Sequence, residues 1–381
     1  MAKKANKRPE KVRTAFRKKH QKRRRSGDMT RDYQGHQFAD EDTQYQERVS
    51  GKGQLTRHRT IIGREVESED DSISVQLNVD LETCLAGRVL AVHGRNSVVQ
   101  ADDGTNYSCG VRGLLKNIST DQRNVVVAGD RVLLQASSAE EGTIVSVLPR
   151  RGVISRTSRK RQHVIVSNVD QVVIVSSAAE PTLKPNLIDR MLISAEKACI
   201  TPIICINKVD LVDPADLQPL AGSYAQLGYQ VLLASASSGR GCQHLEQLLA
   251  SKETVIAGQS GVGKSSLLNT VAPDLDLAVN EVSRSTQKGK HTTTAARLLP
   301  LDGGGFVVDT PGIRQFELWD VIPEEVAGFF RDVRTLVNHC RFPDCTHTHE
   351  ANCAVKDGVG DGFLDVRRYE SYCQIIASEP E

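Results

Sequence analysis

The stretch Gly258-Gln259-Ser260-Gly261-Val262-Gly263-Lys264-Ser265 matches the pattern G-x-x-x-x-G-K-[ST] at every fixed position. Residues 254–257 before it form an apolar strand, and from Ser266 onward residues 266–271 have helical spacing, so the strand, loop and helix that the pattern requires are in place. Three glycines let successive backbone N–H groups turn inward around a polyphosphate, and the following helix presents its positive end to the same anion. Lys264 is expected to reach the β- and γ-phosphates, and Ser265 to offer its hydroxyl to a bridging Mg²⁺.

Around this loop the chain alternates strands and helices. Residues 171–176, 202–206 and 231–234 are apolar runs of strand length, and residues 185–199 and 214–227 have helical spacing. Near-continuous apolar strands imply a mostly parallel sheet covered on both faces. Residues 306–308 add another buried strand, ending in Asp309-Thr-Pro-Gly312, where a carboxylate and a glycine N–H suit a sensor of Mg²⁺ and γ-phosphate.

Asn207-Lys208-Val-Asp210 also sits at the C-terminal end of a strand, where open α/β sheets bind their ligands. The Asp210 carboxylate can accept from guanine N1–H and N2–H₂, whereas adenine offers an acceptor at N1 and nothing at C2. Ser235-Ala236, after the next strand, is expected to bring backbone N–H groups near guanine O6. The order is unusual, because the base-reading loops precede the phosphate loop and Asp309 to Gly312 follows it. The sequence therefore reads as a circularly permuted GTPase domain.

Composition bounds the remainder. A chain of 381 residues exceeds one ordinary core, and 39% hydrophobic with 25% charged residues is the balance of a soluble globular protein. No apolar run approaches membrane-spanning length, so no membrane partner is expected. The net charge of +2 hides an asymmetry: Met1 to Arg25 holds thirteen Lys and Arg and one Glu, leaving 36 basic against 46 acidic residues. Such a tail has too little apolar surface to fold alone and neutralises phosphates by counterion release, a sequence-independent route to RNA. Nine cysteines without a secretory apolar segment point to a reducing cytoplasm.

Between the tail and the α/β region, residues 87–92, 97–101, 107–111, 130–135 and 143–148 alternate as short strands. They suggest a small antiparallel barrel of OB type, which either binds oligonucleotides or is purely structural. At the other end, Cys340-x₄-Cys345-x-His347-x₅-Cys353 has metal-ligand spacing, and three thiolates with one imidazole make a closed tetrahedral Zn²⁺ site. His349 competes as a ligand two residues on. Residues 323–337 and 363–376 have helical spacing around the cluster.

The permuted motifs, the barrel before them, the segment Lys288-Gly-Lys-His-Thr-Thr-Thr294 and the Cys/His cluster together resemble the RsgA (YjeQ) family of small ribosomal subunit biogenesis GTPases. The resemblance covers roughly residues 85–376 and is more specific than any single motif. It implies an OB barrel over 85–155, a permuted P-loop GTPase domain over 156–317 and a helical zinc domain over 318–381, while the disordered basic tail and acidic linker over 1–84 are read from composition alone and depart from the compact family core. It also implies GTP and GDP binding, contacts with 16S rRNA, hydrolysis stimulated by the small subunit, and a cytoplasmic monomer with one Zn²⁺. The family's zinc ligands carry over to Cys340, Cys345, His347 and Cys353, and its switch threonine, a Mg²⁺ ligand beside Ser265, to Thr293. Ras-like enzymes orient the attacking water with a Gln just after D-x-x-G, a position held here by Ile313. The resemblance suggests His291 for that task. Two further readings are an RNA-binding protein with a structural nucleotide site and a GTPase switch on a non-ribosomal partner.

Overall fold

The computed structural model describes residues 10–15, 58–67, 73–77, 84–113, 115, 125–158, 161–275, 277, 296–309 and 321–377. Strands β1 (Glu10–Ala15), β2 (His58–Glu67) and β3 (Ile73–Leu77) pair antiparallel in that order. They fall within the segment that composition reads as tail and linker. The β-branched residues Thr60, Ile61, Ile62 and Val66 suit a strand, and Val12 stands opposite Ile61 in the ladder.

Strands β4 (Leu85–His93), β5 (Asn96–Ala101), β6 (Asn106–Val111), β7 (Arg131–Ala136) and β8 (Glu141–Val147) are those expected from the alternation. They run in the order β4-β5-β6-β8-β7, β7 pairs back onto β4, and only β6 and β8 are parallel. That closed order is an OB-type barrel. Its inward-facing residues, among them Val89, Val99, Cys109, Leu134 and Ile144, are buried. The hairpin of β9 (Ile154–Ser158) and β10 (Arg161–Val166) was not evident in the sequence and follows the barrel. The join is fixed by Asp130, wholly buried, which accepts from Arg150 twice at 2.7 Å and from the Ser167 hydroxyl at 2.6 Å.

The α/β domain contains β11 (Gln171–Ser177), α1 (Pro185–Lys197), β12 (Thr201–Asn207), α2 (Pro214–Gln226), β13 (Gln230–Leu233), α3 (Cys242–Leu249), β14 (Lys252–Ala257), α4 (Lys264–Val271), β15 (Arg297–Pro300) and β16 (Gly305–Asp309). Its parallel strands lie in the order β13-β12-β11-β14-β16, with β15 antiparallel beside β16. Strand β11 is buried along its length, and the pleat divides it: Val172 and Ile174 join the core under α1 and α2, Val173 and Val175 the core under α3 and α4. All five parallel strands point their C-terminal ends to one rim, where the loops of interest emerge.

The C-terminal region carries α5 (Pro323–Phe329), α6 (Ala354–Gly360) and α7 (Val366–Ala377). The helix expected over 323–337 stops at Phe329 and gives way to two 3-10 turns, because the Asp332 carboxylate takes the Val333 N–H at 3.1 Å and starts a new turn. This region packs onto α1. Ile193 of α1 lies in its core with Phe330, Val333 and Tyr372. Ion pairs Lys197–Glu325 and Arg331–Glu196, both 2.7 Å, flank that contact. At its centre Arg368 of α7 is buried between Asp189 of α1 and Asp332, bonding to Asp189 and, at 2.9 and 3.0 Å, to both oxygens of Asp332. Among the described residues, no helix is long and apolar enough to cross a membrane.

Candidate functional site

The phosphate loop leaves the end of β14 and enters α4 at Lys264. Gly258 and Gly263 have φ of 144° and 90°, and a Cβ at either would strike the Val175 carbonyl or the Asn207 amide. Only glycine lets the loop pass this close to β11 and β12. The Lys264 ammonium donates to the carbonyls of Gly258 and Gln259, each at 2.8 Å, and so lies against the loop's own backbone. Ser260 is exposed at the tip, Val262 is buried, and Ser265 and Ser266 are half-buried on the first turn of α4.

Asn207 ends β12 and is buried. Its amide donates to the Val262 carbonyl at 2.8 Å and its oxygen accepts from the Ala236 N–H at 3.3 Å. One side chain thus joins the phosphate loop to the loop after β13. Lys208 takes a left-handed conformation, φ 62°, and its ammonium donates to the Glu180 carbonyl in the loop after β11. Asp210 is exposed and accepts from the Ser237 hydroxyl at 3.0 Å. The Ser235 hydroxyl first, and that of Ser237 second, hold the Asp210 carboxyl below the usual carboxylate range. Of the two N–H groups expected near guanine O6, that of Ser235 is engaged by the Arg240 carbonyl at 2.9 Å, and that of Ala236 makes the longer bond to Asn207. Ser237 escaped the sequence reading, though a hydroxyl two residues past Ser235 was there to be noticed.

The remaining residues of this site fall elsewhere. His291, Thr293 and Gly312, with Ile313 and the segment 288–294, lie outside the described residues. For Asp309 the backbone is described, at the end of β16.

In the C-terminal region the ligand atoms of Cys340, Cys345, His347 and Cys353 lie within 4.8 Å of one another. The His347 Nδ1 is 3.3 Å from the Cys340 sulfur and 3.5 Å from that of Cys353. Three thiols and an imidazole facing a common centre suit a borderline-soft cation of tetrahedral preference, so the residues fit a metal. His349, the competing ligand, has a side chain 81% exposed and bonds the Thr348 hydroxyl at 3.1 Å. It faces away from the cluster. The ligand loop is held from α7, where Tyr369 and Tyr372 donate to the carbonyls of His347 and Thr346 at 2.8 and 2.9 Å. Glu350 binds the loop from within, and the Thr346 hydroxyl above all holds its carboxyl far below the ordinary carboxylate value.

With this geometry in place, the sequence profile of the RsgA GTPase family matches residues 147–319. A protein of Azotobacter vinelandii described as small ribosomal subunit biogenesis GTPase RsgA is 41% identical over 303 residues, covering 77% of this chain and 86% of its own. The chain belongs to the RsgA GTPase family. An RsgA of Photorhabdus laumondii is 37% identical over 333 residues, 86% of this chain and 94% of its own. The crystal structure of YjeQ from Thermotoga maritima superposes with a TM-score of 0.64 at 34% identity, over 77% of this chain and 97% of that one. YloQ, described as a circularly permuted GTPase, superposes with a TM-score of 0.60 at 30% identity, over 80% and 100%. This chain thus joins a barrel, a circularly permuted GTPase domain and a Cys/His cluster, in that order.

Proposed function

We propose that this chain binds GTP and GDP, hydrolyses GTP, and couples the hydrolysis to late maturation of the small (30S) ribosomal subunit, a reading supported by relatives named as small ribosomal subunit biogenesis GTPases. The observation that carries the reading is the Asn207 amide, which ties the loop suited to the base to the loop suited to the phosphates. Asp210 accepts from guanine N1–H and N2–H₂, and adenine would leave it unpaired. The Ala236 N–H, less firmly held than that of Ser235, is the one to share with O6. Backbone N–H groups from Gly258 to Ser266 hold the phosphates, and Lys264 exchanges its two loop carbonyls for phosphate oxygens. Ser265 and Thr293 would hold the Mg²⁺ of the nucleotide complex, which neutralises charge on the phosphates, and Asp309 and Gly312 report on the γ-phosphate.

His291 orients the attacking water, since Ile313 cannot. Cys340, Cys345, His347 and Cys353 hold one structural Zn²⁺, which keeps the C-terminal module folded. The barrel and the basic N-terminal segment meet 16S rRNA through its phosphates, and the protein works as a cytoplasmic monomer.

Single-turnover GTP hydrolysis with and without purified small subunits tests the reading. Subunits should accelerate a slow basal rate, the acceleration should fall steeply with added salt, and His291→Ala should keep GTP affinity while losing most of it. Stimulation of the alanine variant equal to that of the parent would assign the water to another group. No stimulation, with cosedimentation on a different particle, would turn the reading towards a non-ribosomal partner.

A further inference from the structure

Asp210 lies on an exposed 3-10 turn, Val209–Leu211, beyond the end of β12. A carboxylate in such a place samples several rotamers, and a two-point pair with guanine requires its plane to meet the base edge squarely. The element that can hold it comes from a different loop. Ser237 donates to Asp210 Oδ2 at 3.0 Å, and its hydroxyl is 3.0 Å from that of Ser235. Ser235 is itself anchored: it is wholly buried, its N–H donates to the Arg240 carbonyl at 2.9 Å and its hydroxyl accepts the Ser238 N–H at 3.1 Å. The hydroxyls of Ser235 and Ser237 therefore both face the exposed carboxylate, Ser237 as the exposed member that donates to Oδ2 and is itself held by the buried Ser235.

We propose that Ser237 is a positioning residue for base selection, fixing the Asp210 carboxylate in the plane that guanine N1–H and N2–H₂ require. The proposal rests on the reading of Asp210 as guanine's partner. Each carboxylate oxygen has two acceptor sites, so the Ser237 bond orients Oδ2 without taking the site that the base needs. A fixed plane matters most to a base that uses both oxygens. Guanine does so, whereas hypoxanthine, which lacks the 2-amino group, makes a single bond to the carboxylate and tolerates a turned one. Loss of the hydroxyl should thus weaken guanine more than hypoxanthine, an outcome that a general loosening of the loop would not produce.

The test uses the full-length protein and calorimetric titration with guanosine and inosine diphosphates, on the parent, Ser237→Ala, Ser237→Thr and Asp210→Asn. Ser237 is exposed, so its truncation spares the core. The alanine variant should lose about 3- to 10-fold in guanosine diphosphate affinity, as expected for one solvent-screened bond to a charged group. It should lose less for inosine diphosphate, so that the ratio of the two affinities falls, and Ser237→Thr should restore that ratio. An equal loss for both nucleotides, or no loss for either, overturns the proposal. If Asp210→Asn also leaves guanosine diphosphate binding unchanged, the guanine reading of Asp210 falls with it; if Asp210→Asn weakens binding, that reading stands and only the role of Ser237 is lost.

Discussion

Replacing Arg368 by methionine would keep an unbranched apolar stem and remove the donors of the buried cluster that joins the C-terminal module to α1, leaving the flanking pairs Lys197–Glu325 and Arg331–Glu196 in place. In the native structure the guanidinium is 4% exposed, bonds to Asp189 and twice to Asp332, and lies 4.5 Å from the Phe330 ring centroid and 5.6 Å from that of Tyr224. Burial works against its charge, but the carboxylates of Asp189 and Asp332 outweigh burial and hold its pKa above the ordinary arginine value. Methionine leaves Asp189 buried without its cation, with neutral hydroxyls, Tyr224 at 2.9 Å and Ser371, as its remaining donors. Breaking a buried ion pair from one side costs about 3–5 kcal/mol, and the lost ring contacts add about 0.5–1 kcal/mol each. Methionine's own packing returns part of this, so a net loss of about 4 kcal/mol is expected. Native-state hydrogen exchange on Val366–Ala377 reads it directly, as a fall in the opening free energy of α7. Adding Asp189→Leu should recover at least half of the loss, since the stranded carboxylate is its main source. A fall below about 1 kcal/mol, or a double variant no better than the single one, would refute the assignment of the docking energy to this cluster.

Asp210→Asn should weaken GDP binding by about 100-fold or more, by facing guanine with an amide donor, and ATP should fail to displace GDP from the parent in competition titrations. His347→Ala should lose zinc by metal analysis and unfold the C-terminal module, while His349→Ala should retain it, because only His347 faces the thiols. Burial pushes the Glu253 carboxyl up to about 7 against the pull of Arg88, 2.6 Å away. A carboxyl with a raised folded-state pKa binds more protons folded than unfolded between about 4.5 and 7, so its contribution to stability is full at the acid end and is lost as pH rises through 7. Denaturation midpoints across that window should fall less steeply in Glu253→Gln. Asn207→Ala should cost about 2–4 kcal/mol, from two lost hydrogen bonds and the buried Val262 carbonyl left without its donor, seen as a lower urea midpoint and weaker nucleotide binding together.

The parts of the fold legible in sequence are those that local chemistry dictates. Apolar runs such as Val172 to Val175 mark strands covered on both faces, and Pro185 and Pro214 mark helix starts. Gly258 and Gly263 are tied to one loop geometry, and the Cys/His spacing brings its donors together whatever surrounds them. Strands β1 and β2 were hidden because charged residues break up their apolar pattern and they pair across a long sequence separation, and β3 because its alternating Ile73-Ser-Val-Gln-Leu77 is only five residues long. Helix α3 was missed for its eight residues, and α5 was extended because Asp332 reads as one more helical residue until its carboxylate is seen capping Val333. The Asp189–Arg368 pair was illegible for a different reason. Each is an ordinary charge on an amphipathic helix, and only the packing of α7 on α1 buries both.

That pair also sets a timetable for synthesis. Arg368 lies 179 residues after Asp189. At about 5–20 residues per second, a growing chain carries Asp189 and the apolar Ile193 beside it for roughly 10–35 s before their partners emerge. Neither the docking face of α1 nor the tie from Asn207 to Val262 can close until later sequence arrives, so the first helix of the GTPase domain is finished by the last. Nascent chains stalled or truncated before α7 should therefore present an uncovered α1 face to chaperones and proteases, even though every nucleotide-binding loop has already been made.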